Sequence, residues 1–206
     1  MKLPGFIVKM GGFVTSPRAY FSVVVHERRG LLEPLGYVAS FALAKWGLRG
    51  ALTAGLIGSL LSGFTAPPFA VSGLRWLGGV VAYGTMLIGL LAELLTWAVW
   101  SVLAHAVSKA LGGGGEFTHS LSALGYSWVA DSAVVACLLI AVASPAAFML
   151  ALLGSFISLA WKVVVAGIGL SEAHGVSLSR GLVASAAPCL ILGLLLLAVL
   201  AWWASW

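Results

Sequence analysis

The sequence predicts an all-α membrane protein: an N-terminal interfacial amphipathic helix followed by a bundle of five transmembrane helices. Three observations carry that reading. Of 206 residues, 61% are hydrophobic and only 8% charged, far too little charge to cover a soluble domain. The apolar residues fall in runs long enough to cross a hydrocarbon layer of about 30 Å. Five of the eleven Lys and Arg, namely Lys2, Lys9, Arg18, Arg28 and Arg29, precede the first long run, as orientation in a bilayer requires. Together these exclude a cytosolic enzyme, a disordered chain and a secreted disulfide scaffold.

Residues 1–30 form a cytoplasmic N-terminal segment. Lys9 and the pair Gly11, Gly12 break its apolar stretch too early for a cleavable signal peptide, so it is expected to stay in the mature protein. Ser16-Pro17 reads as an N-cap followed by proline at the first helical position, and Gly30 as a stop. The predicted helix, Pro17 to Arg29, gathers Tyr20, Phe21, Val24 and Val25 on one side and Arg18, Ser22, His26 and Arg29 on another. Too short to span, it is expected to lie on the membrane surface.

The domain from 31 to 206 carries the five spans. The first covers about 31–62, with Lys45 and Arg49 reaching toward the far face beside Trp46. Gly50, Ala54, Gly58 and Ser62 recur every four residues and offer a smooth stripe for close helix approach, within the bundle or in a homo-oligomer. Thr65-Ala-Pro67-Pro68 breaks the run, and the second span covers about 76–105. Gly112 to Gly115 ends that helix, and Phe117 to Tyr126 reads as an interfacial lead-in to a third span at 127–143. Ser144-Pro145 turns into a fourth at 146–170, and a polar patch from Ser171 to Gly175 precedes a fifth at 178–203. Pro188 is expected to kink the last helix, with Trp202, Trp203 and Trp206 as its interfacial collar.

Five spans place the N-terminus in the cytoplasm and the C-terminus outside, with Lys109 and Arg180 on the cytoplasmic side and Arg75 across from them. The chain has no Asn or Gln and a single Asp, a depletion expected of a thermophile. Cys137 and Cys189 lie in apolar runs without metal-ligand spacing and read as small hydrophobes. No cofactor motif is present. The lipid bilayer is the expected partner, no nucleic-acid motif accompanies the basic residues, and a protein partner is expected at the cytoplasmic face if anywhere.

The order His105-Ala-Val-Ser-Lys109, Gly112-Gly-Gly-Gly-Glu116-Phe117, Leu121, Gly125-Tyr126-Ser127, followed by Trp161, Gly169-Leu170 and His174-Gly175-Val-Ser177, resembles the Yip-domain family of five-span membrane proteins, in a prokaryotic, archaeal-type form. The resemblance runs from about Pro17 to the C-terminus. It implies the fold and membrane residence. Eukaryotic members are associated with Golgi trafficking vesicles and prenylated Rab-type GTPases, but their Asp-Leu-Tyr-Gly-Pro stretch is absent here. Where the family often has a proline after the Tyr-Ser pair, this chain has Trp128-Val-Ala-Asp131.

Two sets of ionisable residues invite a chemical reading. Glu93, Asp131 and Lys162 lie within spans, where charge is expensive, and depth counting puts all three in the cytoplasmic half, within reach of one another. They form either a polar lock between helices or a proton- or cation-binding site. His105, Glu116, His119, Glu172 and His174 gather at the cytoplasmic rim in spacings that match no metal motif. The glycines lack the Lys-Ser or Lys-Thr of a phosphate loop, and no nucleophile elbow exists, so no catalytic residue is expected. The functional alternatives are a non-enzymatic membrane-organising or trafficking-like adaptor, as the resemblance implies, and a small ion or proton transporter or channel using the intramembrane triad.

Overall fold

A computed structural model describes residues 5–24, 31–62, 68–144 and 148–204. Every element among them is helical. Two short helices, α1 (Gly5–Thr15) and α2 (Pro17–Val24), are followed by α3 (Leu32–Ser62), α4 (Pro68–Ala110) and α5 (Phe117–Ser127). A 3-10 turn, Trp128–Asp131, joins α5 to α6 (Ser132–Ala143), and α7 (Phe148–His174) and α8 (Leu178–Ala204) complete the chain. Four segments are long and apolar enough to cross a membrane: Trp76–Ala110, Phe117–Ala143, Met149–His174 and Leu178–Trp203. The chain is a multi-pass membrane protein. Apolar side chains such as Ile88, Leu91, Leu95, Phe156 and Leu194 stand well exposed on the outer faces, as lipid contact requires and water would penalise.

Helix α3 has the length of a span but is not one of those four, because Lys45 and Arg49 depress its hydropathy. It nonetheless lies along α4 in antiparallel fashion. Gly50 meets the backbone of Ala82, where an added Cβ would come within 2.7 Å of the Ala82 carbonyl oxygen, and Gly78 sits beside Ala54. Of the stripe Gly50, Ala54, Gly58, the first half faces α4, and a Cβ on Gly58 would meet nothing within 4 Å among the described residues. Helices α7 and α8 cross as closely, an added Cβ on Gly181 falling 2.3 Å from the carbonyl oxygen of Gly167.

The N-terminal helices differ from the sequence expectation. Helix α1 was not foreseen, and the part of the expected second helix beyond Val24 lies outside the described residues. Rather than presenting its apolar side only outward, α2 buries Phe21 fully in the bundle, where the ring fills the space beside Gly169. Phe13 of α1 is also fully buried and stacks on Tyr126 at 4.7 Å, with Phe21 and Tyr37 at 5.0 and 6.3 Å. Ion pairs at the edges, Lys9 with Glu33 at 2.5 Å and Arg18 with Glu172 at 3.1 Å, hold the pair of helices over that end.

Pro188 stands inside α8 without ending it. Trp202 and Trp203 are exposed near its close, and Trp206 of the expected collar lies outside the described residues.

Candidate functional site

The 3-10 turn is where charge enters the bundle. It tightens the chain between α5 and α6 and turns both Trp128 and Asp131 inward, each almost wholly buried. Asp131 Oδ1 accepts from Lys162 Nζ at 2.9 Å and from the Ser158 hydroxyl at 2.6 Å, and Oδ2 accepts from Lys45 Nζ at 2.8 Å. Lys45 also pairs with Glu93 Oε1. Glu93 Oε1 accepts from the Trp46 indole at 3.2 Å, and Oε2 from the Trp128 indole at 2.9 Å. The Lys162 ammonium lies 4.1 Å from the centre of the Trp128 ring. Thus α3, α4, the 3-10 turn and α7 contribute one charge each, two of either sign.

Asp131 and Lys162 meet directly, and Glu93 joins them through Lys45 and Trp128. Lys45 is the residue that sequence reasoning missed, having placed it toward the far face of the membrane. It is 7% exposed and sits between the two carboxylates. Glu93 stands midway between Trp76 and Ala110, and Asp131 and Lys162 stand at the middle of Phe117–Ala143 and Met149–His174, because the helices run on past the ends read from the sequence. Charge balance was the available signal: two acids and a single lysine left one carboxylate without a counter-charge.

Glycine makes room for part of this arrangement. A Cβ on Gly89 would fall 2.1 Å from Cγ of Trp46, so only the bare backbone lets that indole reach Glu93. Arg49 stacks on the same indole, its guanidinium carbon 4.6 Å from the ring centre, and makes no ion pair with a carboxylate among the described residues. A chamber of about 220 Å³ lies against Arg49, Asp131 and Lys162.

At the rim the five expected residues do not converge. Ser120 Oγ bridges His105 Nδ1 at 3.0 Å and His174 Nε2 at 2.8 Å, bringing two of them together through a fully buried hydroxyl. Glu172 instead pairs with Arg18, exposed Glu116 accepts from the Thr118 hydroxyl at 3.4 Å, and His119 Nδ1 is buried without a hydrogen-bond partner. Among the described residues, no group of three His, Cys, Asp or Glu side chains could hold a metal ion.

The glycines between α4 and α5 serve this junction. Gly112 takes φ +90, its N–H bonds to Lys109 O at 3.0 Å and that of Gly113 to Ser108 O at 2.9 Å, closing α4 in the manner of a left-handed cap. Gly115 passes so near α7 that a Cβ would lie 2.3 Å from the Ala173 carbonyl oxygen. Gly114 N–H donates to His174 O at 3.0 Å, and Arg180 reaches across to Leu111 O at 3.1 Å. The His, Gly-rich, Gly-Tyr and His-Gly pieces read from the sequence are therefore one packed junction, and the Yip1 domain matches residues 11–200, nearly the whole chain. The chain belongs to the Yip1 family. No curated protein and no solved structure matches it. In this Yip1 domain glycine, tyrosine and histidine pack the helix ends at that rim and the N-terminal pair together.

Proposed function

We propose that this Yip1-domain protein is a non-enzymatic, five-span membrane protein that organises the bilayer or recruits partners at its cytoplasmic face, with the four buried charges acting as a structural lock. The observation that carries the reading is that every oxygen of both carboxylates is engaged. All four carboxylate oxygens accept a hydrogen bond or an ion pair, and two lysines balance the two acids. Carboxylates held this way are charge-balanced and pinned from several helices, whereas an ion-carrying acid must exchange partners during each cycle. The family supports the same reading, and α3, which lies along α4 over most of its length, supplies the fifth crossing.

Reconstituted protein is expected to pass neither protons nor cations across liposome membranes, with Glu93→Gln/Asp131→Asn altering stability and not flux. Flux from folded wild-type protein that this double variant loses would overturn the lock and favour the small transporter or channel.

A further inference from the structure

Beyond that role, the geometry points to a binding site for one long-chain carboxylic acid, its carboxylate at Arg49 and its chain between α4 and α8. The chamber beside the buried charges is not closed. A second cavity of about 370 Å³ runs along the outside of α4 and α8, and the two share Thr96, Trp100 and Leu159 as common wall. Trp100 is held in place there by its indole N–H, which donates to Ser185 O at 2.9 Å. Leu95, Val99, Pro188 and Leu192 line the outer cavity, and Leu95, Leu159 and Leu192 stand exposed on the lipid-facing side. The two cavities are thus adjacent, and the proposed amphiphile lies with its chain in the groove and its head in the chamber, passing the exposed Leu159 edge of their common wall.

The charge inventory selects the head. Lys45 and Lys162 are shared between Glu93 and Asp131, so the guanidinium of Arg49 leaves the chamber with one net positive charge. Its planar fork suits a carboxylate, and an anion there gains an ion pair in a medium that screens little. Depth separates a carboxylic acid from a phosphate. Glu93, Asp131 and Lys162 beside the chamber stand midway along apolar helices, and a carboxylic acid reaches it through the hydrocarbon as the neutral acid and binds beside Arg49 as the carboxylate, its proton passing to bulk water. A phosphate ester carries its charge at neutral pH throughout and pays the full desolvation cost on the way.

The test is native mass spectrometry of the full chain in non-ionic detergent, titrated with palmitic acid and, separately, with methyl palmitate. Expected are one saturable palmitate per protein, methyl palmitate weaker by about tenfold or more, and a similar loss of palmitate affinity in Arg49→Gln. Leu159→Trp, which fills the shared wall, is expected to abolish binding, whereas Leu139→Trp on the exposed face of α6 leaves it unchanged. Absence of saturable palmitate, equal binding of the ester, or equal loading of all three variants would overturn the site. Should a variant fail to fold, the comparison of acid with ester on the unaltered protein still decides.

Discussion

Lys45 holds two carboxylates from two different helices, and its loss or theirs leaves charge stranded at the centre of the bundle. Asp131→Asn removes the negative charge that both lysines share and is expected to cost about 3–5 kcal/mol of stability, the range for breaking a buried ion pair. The double variant Asp131→Asn/Lys162→Met is expected to recover part of that loss, because it removes the stranded cation as well. Denaturant unfolding in detergent reads both; a single-variant cost under about 1 kcal/mol would mean that these charges are solvated. Glu93, Asp131 and Lys162 were legible in the sequence because charge inside an apolar run is rare. Lys45 was not, since Trp46 and Arg49 beside it mimic an interfacial belt, and only the pairing across helices shows it buried between two carboxylates.

Helix contacts in this bundle are set by missing side chains more than by large ones. Gly89→Ala is expected to drive the Trp46 indole off Glu93 and to cost about 1–3 kcal/mol, the usual range for overpacking. Gly58→Ala meets no atom of the described residues within 4 Å and is expected to leave the midpoint of thermal unfolding unchanged or slightly raised, since alanine favours helix. Equal behaviour of the two would remove the distinction drawn between the halves of the stripe. The four-residue spacing of small residues announced a close helix approach but not where along the stripe it happens, because that depends on how far α4 extends. Nor did Trp128–Asp131 announce the 3-10 turn, having neither glycine nor proline; the tight conformation is held by the bonds Asp131 makes to other helices. The end of α4, by contrast, was plain from Gly112 onward, as a left-handed residue there demands.

For the molecule as a whole, apolar runs and their breaks conveyed the helices and most of their order, while the docking of α1 and α2 depended on aromatic contacts between residues far apart in the chain. The proposed five-pass topology makes an asymmetric prediction. In a Cys137→Ala/Cys189→Ala background, Ser179→Cys near the start of α8 is expected to react with an impermeant maleimide only from the cytoplasmic side, and Ser144→Cys after α6 only from outside. Labelling of both from one side would remove a crossing.

The plug made by Phe13 and Phe21 also dictates a sequence of events during synthesis. Its receptor comprises Tyr37, Tyr126 and the notch at Gly169, which lie on α3, α5 and α7. When the ribosome has made Phe21 that receptor does not yet exist, and at roughly 5–20 residues per second the wait for Gly169 is on the order of ten seconds. During that interval two aromatic rings and a basic segment have no protein surface to occupy, and the nascent N-terminus is left to the membrane surface or a chaperone. Docking then follows completion of α7, so the first helices translated are among the last to reach their places.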